Sequence, residues 1–241
     1  MSASGPAPFR EAMARLLRQK VMPTSMSSEE LSQLNRDVIE RSFFSARNTL
    51  DKVLEFERSK IMELVNPHSA TRTREDGTVE TYTAGTDQAT ARWEIKLMLE
   101  RTGYQPDPGK RGGIQDLSSD RRIDLVIETN RDMAQSYGWD RQMNDPDLLD
   151  MWPAKELIRT MDAEVPRNWQ ERWQTAGEAS GQPDGWTQGG RMVARKDHPI
   201  WDRLGDPALF PDGLGNPFPP FAFSSGMETE DVERDDAVAL G

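Results

Sequence analysis

SSEELSQLNRDVIERSFFSARNTLDKVLEFERSKIMELV, residues Ser27 to Val65, contains neither glycine nor proline, and its reading decides the fold class. Ser27 and Glu30 have the spacing of a capping box, with Met26 before it and Leu31 where a hydrophobic staple would close, so a helix is expected to start here. Ile39, Phe43, Ala46, Leu50 and Val53 then follow a 4-3-4-3 step that Ile61, Leu64 and Val65 resume. An unbroken helix over this stretch would run roughly 55 to 60 Å at about 1.5 Å per residue, and a bend within it is the alternative. Asn66-Pro67 ends it.

Working outward, Phe9, Met13, Leu16, Leu17 and Val21 recur at helical spacing between Arg10, Arg15, Arg18 and Lys20, a short basic amphipathic helix closed by Pro23. It reads as a docking arm or membrane-surface helix, or as an ordinary helix packed on the rest. Thr71 to Thr83 carries Asp76-Gly77 between Thr-, Val- and Tyr-bearing arms, which predicts an exposed hairpin with a two-residue primed turn. Thr90 to Arg101 is a further helix, with Gly103 placed for its C-cap. Ile114 to Gly138 and Leu148 to Met161 supply two more, the latter opening at Trp152-Pro153. Pro166 to Gly177 follows, with Trp169 and Trp173 sharing a face.

After Gly177 the chain turns rich in Gly, Pro, Asp and aromatics, with one strand candidate at Arg191 to Arg195 and an acidic stretch from Glu228. The expected class is therefore mainly α, an α+β chain with minor β. A long N-terminal helix, a central helical core and an irregular Pro/aromatic-rich C-terminal segment with short strands make it up. The organisation divides into an N-terminal helical region, 1–110, and a C-terminal region, 111–241.

Composition bounds the function. The 241 residues carry 30 Lys+Arg against 41 Asp+Glu, a net charge of -11 that opposes non-specific phosphate binding, so nucleic acid is expected only at local basic patches such as the first helix. The absence of cysteine removes disulfide frameworks, thiolate zinc sites and thiol nucleophiles. No apolar run of about 18 residues would span a bilayer and no signal-peptide pattern opens the chain, so a cytoplasmic protein without a membrane anchor is expected.

No motif assembles a catalytic, cofactor or metal site. Gly109-Lys110 lacks the glycine spacing and the Ser/Thr of a phosphate loop, Arg111 standing in that place. His68 and His198 each adjoin proline and have no second ligand at a metal spacing. Asp145, Asp147 and Asp150 lack the glycine and terminal glutamate of a calcium loop. Glu228-Thr229-Glu230 has the Glu-x-Glu form of arginine-specific ADP-ribosyltransferases, and this divergent-enzyme reading is the alternative function. Ser224-Ser225 adjoins it, whereas those enzymes place their serine strand far upstream. The competing expectation is that these glutamates lie near the N-terminus of a last short helix. Pro217 and Pro220 match P-x-x-P, but Phe218, Phe221 and Phe223 around them favour a segment packed on its own protein.

Two stretches resemble tailed-phage minor head proteins, the head-morphogenesis group that includes the Mu protein F-like proteins. The first is RRIDLVIETNRDMAQSYGWDRQ, Arg121 to Gln142, in which Arg122, Ile123, Ile127, Thr129, Ala134 and Gly138 carry the likeness. The second runs from VPRNWQERW through GRMVARKDHPIWDRL to GNPFPPFAFSSGM and VERDDAVALG. The resemblance covers residues 114–241. Relatives ending in a Cys-Arg-Cys-like segment have features that this cysteine-free chain does not inherit. It implies a low-copy, non-enzymatic component of a phage or prophage head, with the portal or major capsid protein as partner and self-association as a further contact. Its place would be the bacterial host cytoplasm during assembly, with the virion head as a further location and retention there left open.

For such a role Arg121 and Arg122 are expected to position the helix they begin. Trp169, Trp173, Trp201, Phe218, Phe221 and Phe223 are expected to clamp the irregular C-terminal segment. The competing reading has some of these rings exposed as the partner contact.

Overall fold

In chain order the computed structural model, which describes residues 10–74, 76–162 and 167–240, opens with α1 (Arg10–Arg18), β1 (Lys20–Val21), α2 (Ser28–Ser32), α3 (Arg36–Arg41) and β2 (Ser42–Phe43). Then come α4 (Asp51–Val65), β3 (His68–Thr73), β4 (Val79–Ala84), α5 (Gln88–Arg101), α6 (Asp120–Met143) and α7 (Pro146–Met151). β5 (Ala154–Arg159), α8 (Trp169–Ala179), β6 (Val193–Arg195), α9 (Ile200–Leu204), β7 (Met227–Val232) and α10 (Arg234–Leu240) complete the order. With 46% helix and 13% strand the class is mainly α with small sheets.

The run from Ser27 to Val65 is not one helix. Asn35 Oδ1 accepts the Asp37 N–H at 2.8 Å and Asn48 Oδ1 the Leu50 N–H at 3.1 Å, so each asparagine starts a new helix by local bonding. Between them Ser42-Phe43 pairs in parallel with Lys20-Val21, which fully buries Phe43. The longest helix is instead α6, 24 residues. Phe9, at the head of the first expected helix, lies outside the described residues.

The chain divides into two compact units, one containing the residues up to Ser27 and Glu40–Gln135, the other Ser28–Ile39 and Ser136–Gly241. This division falls within α6 rather than at residue 110. In the first unit α4 buries Val53, Leu54, Ile61 and Val65, and α5 buries Ala91, Ile95 and Leu99, both stripes at helical spacing. α1 adds Ala12 and Leu16, and α6 adds Ile123, Val126, Ile127 and Ala134. Asp87 caps α5 by accepting the Thr90 N–H, and Gly103 takes φ 75° after its end.

β3 and β4 form the expected antiparallel hairpin. Its connection is longer than a two-residue turn, because the Arg74 N–H donates to Thr78 O at 2.8 Å and the Gly77 N–H to Arg74 O at 2.9 Å. Gly77 sits at φ 82°, the left-handed position that closes such longer loops.

The second unit is built on a three-stranded antiparallel sheet in the order β6-β5-β7. Leu148 to Met161 is therefore not the helix expected from Trp152-Pro153. α7 opens at Pro146 after the Asp145 cap and ends at Met151, and Ala154–Arg159 becomes the central strand. Its sequence, AKELIR, has helix-forming residues, but burying Ala154 and Leu157 between two partner strands outweighs that propensity. Glu228 to Glu230 likewise falls on an edge strand, not at a helix start. Pro166, the expected head of α8, lies outside the described residues. After α9 the irregular segment folds back on itself. A Cβ on Gly213 would stand 2.4 Å from the Gly205 carbonyl oxygen, so only glycine allows this approach.

Candidate functional site

Four of the expected aromatic residues meet in one place. Trp169, Trp173, Trp201 and Phe221 belong to the core of the second unit, with Leu157, Ile200 and Leu204. Trp173 meets Trp201 edge-on at 5.4 Å between centroids, and Trp201 stacks on Phe221 at 6.3 Å. Phe218 is buried elsewhere, edge-on to Tyr137 at 5.8 Å. Phe223 is 38% exposed and contributes its carbonyl to Arg167 Nη2 at 2.9 Å. The rings thus order the proline-rich segment from inside, as cross-braces where backbone ladders are few.

Arg172, overlooked in the sequence, is the polar partner of that core. Its Nε and Nη2 donate to Leu204 O at 3.0 and 2.7 Å, and its Nη1 pairs with Asp212 at 2.7 Å. The guanidinium lies 4.9 Å from the Trp169 ring and 4.1 Å from that of Phe210. Its position between Trp169 and Trp173 was the one available signal.

Arg122 belongs to the first unit, where it is buried and its Nη2 donates to Ser45 Oγ at 2.5 Å and Ala46 O at 2.8 Å. Near it Glu57 is buried on α4, and burial pushes its carboxyl from 4.5 to about 7 while Arg122 pulls the other way. A pKa raised in the folded state means that the native protein keeps a proton which the unfolded chain releases between pH 4.5 and about 7. Stability therefore falls as pH rises through that window, by roughly 3 kcal/mol in all. Glu57→Gln, which cannot ionise, is expected to match the native protein at pH 4.5 and to exceed it by about 2 to 3 kcal/mol at pH 8 in urea unfolding. An equal difference at the two pH values would exclude this account.

A cleft of about 340 Å³ opens in the second unit between the end of α6 and β7. Two lysines form its floor, their side chains 8% and 2% exposed. Lys155 Nζ reaches Asp140 at 3.0 Å, and Lys196 Nζ reaches Asp231 at 2.6 Å. Lys155 also lies 4.7 Å over the Trp201 ring, and Lys196 donates to Met143 O at 3.0 Å. These pairs join residues 15 and 35 apart on different elements, which no local pattern could have revealed. Trp139, 60% exposed, and buried Phe218 supply the aromatic walls. Glu228 and Glu230 complete the lining, giving four carboxylates with Asp140 and Asp231 against two ammonium groups, a net charge of -2.

The sheet register places Glu230 opposite Glu156, whose carboxylate receives the Arg191 fork at 3.0 and 2.6 Å. Ser225 is buried, and its Oγ accepts the Met227 N–H at 3.3 Å. His198 is buried with Nδ1 accepting the Ile200 N–H at 3.1 Å at the start of α9, and burial above all, then Arg195, lowers its pKa. The side chain of His68 lies outside the described residues. Among the described residues no three His, Cys, Asp or Glu side chains converge as a metal site, and no helix is long and apolar enough to cross a membrane. Compared with protein-family models, curated proteins and solved structures, the chain matches none.

Proposed function

We propose that this chain is a structural assembly component of a tailed-phage or prophage head, a low-copy minor head protein that joins the portal or the major capsid protein. The observation that carries the reading is the build of the second unit, which covers most of the stretch resembling such proteins. Its ring cluster and the Arg172 clamp hold an irregular segment in one shape, and beside that segment Trp139 stands 60% exposed at the mouth of the acidic cleft. A large half-exposed ring next to a preformed cleft is the kind of residue that dominates protein–protein contacts. The net charge of -11 favours protein over DNA as the partner. Assembly would take place in the bacterial cytoplasm, where the protein would join the forming head.

Trp139→Ala tests this in a head-assembly reaction. Loss of an interface tryptophan costs about 2 kcal/mol or more, so the variant's occupancy in purified heads should fall by about thirtyfold at limiting concentration. Trp139→Phe, which keeps a ring, should retain most of the occupancy, and the melting temperature of both variants should stay within about 2 °C of the parent. Equal occupancy of the alanine variant and the parent would refute this docking role. Absence of the parent protein itself from heads and head precursors would refute the assembly reading as a whole.

A further inference from the structure

Among the described residues β7 is an edge strand of its sheet, and the cleft runs along it. Successive side chains of a strand point to opposite faces, yet Glu228, Thr229, Glu230 and Asp231 all line this one cleft. Four consecutive residues can do so only where the cleft opens on the strand's free edge.

The backbone direction agrees. The Thr160 N–H donates to Gly226 O at 3.0 Å, and continuing the antiparallel register from that pair makes Ile158↔Glu228 and Glu156↔Glu230 the hydrogen-bonded pairs. On β5 the next residue, Leu157, donates instead to Met192 O at 2.8 Å on the β6 side, as this alternation requires. Thr229 and Asp231 therefore turn their N–H and C=O groups away from β5, toward the cleft.

We propose that this edge accepts an extended segment of a partner protein as a fourth strand, and that the segment alternates basic with apolar side chains. Two faces dictate the alternation. Glu228 and Glu230 share the face of Glu156 and Ile158, so an added strand would set its basic side chains opposite these glutamates. Thr229 and Asp231 share the face of Lys155 and Leu157. There the two lysines are already neutralised by Asp140 and Asp231, and Trp139 and Phe218 offer apolar surface to the intervening residues. Main-chain bonds supply affinity in this mode, and alternate side chains supply selection. The inference deepens the assembly reading, on which it rests for the idea that the cleft meets a protein.

The test titrates the full chain with the peptide Ac-Lys-Val-Lys-Val-Lys-Val-NH2 and with its counterpart carrying Glu in place of Lys, by calorimetry and amide chemical shifts. The basic peptide should bind, shift the Thr229 and Asp231 amides, and weaken with added salt, while the acidic one should bind at least about tenfold less well. Thr229→Pro removes an outward N–H but no ladder bond to β5, a place where an edge strand tolerates proline. It should weaken binding by about tenfold or more with the melting temperature little changed. Glu230→Lys should weaken it through charge alone and serves if the proline variant fails to fold.

Equal binding of both peptides, or undiminished binding to the two variants, would overturn the proposal. So would concentration-dependent dimerisation of the chain that Thr229→Pro abolishes while the peptide fails to bind, since the edge would then pair with its own copy. The assembly reading is judged separately by occupancy in heads, so either idea can fail alone.

Discussion

Phe221→Ala is expected to cost about 3 to 5 kcal/mol, the range for removing a fully buried ring without collapse of the site around it. Phe221 has no exposed surface and stacks on Trp201, which in turn touches Trp173. Its carbonyl accepts the Leu214 N–H at 3.0 Å, and the neighbouring Ala222 bridges to Gly213. The ring thus connects the returning segment to α8 and α9, and its loss empties the point where all three meet. Thermal unfolding should show a fall in melting temperature of roughly 10 °C, with less soluble protein. Phe223→Ala is the matched control. That side chain is 38% exposed and its bonded group is the backbone carbonyl, so the change should stay within about 0.5 kcal/mol. Similar effects from the two substitutions would mean that the segment is not anchored by Phe221.

In the first unit Arg122→Ala is expected to be as costly, about 3 to 5 kcal/mol, because it removes one member of a buried polar group and abandons the others. Ser45 Oγ and Ala46 O lose their shared donor, and Glu57 loses the positive charge that partly offsets its burial. The connection between β2 and α4 would lose its tie to α6. The loss should be larger at pH 8 than at pH 5, because only the ionised Glu57 needs the guanidinium. Adding Glu57→Gln to Arg122→Ala should gain more at pH 8 than the about 2 to 3 kcal/mol the same change gains in the parent, by a further ~1 to 2 kcal/mol, the coupling expected of residues sharing one buried network. Strict additivity of the two changes in urea unfolding at pH 8 would show that the pair does not interact.

Much of the helical architecture was readable because its signals are local. Gly103 closes α5, Asn66-Pro67 ends α4, and Ile123, Val126 and Ile127 repeat at the spacing that buries one side of α6, whereas the Asp87 cap of α5 emerged only in the structure. The hairpin announced itself through Asp76-Gly77, although the loop length did not follow from that dipeptide. The fragmentation of Ser27 to Val65 was hidden, since the apolar 4-3-4-3 step runs straight through Asn35 and Asn48. Those asparagines start new helices through their own side-chain bonds, and Phe43 between them lies in a strand beside Val21. Apolar spacing alone does not distinguish a phase kept by one helix from a phase shared by separate short elements.

The ring cluster was legible in the sequence, but of the cleft itself only Phe218 was, and neither Trp139 nor the charged residues. Aromatics are conspicuous in a segment that has little else to bury, so Trp169, Trp173, Trp201, Phe218 and Phe221 stood out before any contact was known. Lys155, Lys196, Asp140 and Asp231 are ordinary charged residues in a chain full of them, and their pairing is set by which strand lies beside which.

By itself the sequence determined that α4 stops at Asn66-Pro67 and α5 before Gly103, that the chain is mainly α, and that a ring-rich segment must find a buried place. Each of these is a short-range matter of dihedral preference, local hydrogen bonding or solvent exclusion. Only the tertiary structure decided that Ala154–Arg159 is a central strand, that Glu228 and Glu230 lie on a sheet edge, and that two buried ammonium groups floor the cleft. Those outcomes depend on contacts between distant residues, and the free energy of burying a strand between two partners exceeds the few tenths of a kcal/mol by which local propensity would have chosen a helix.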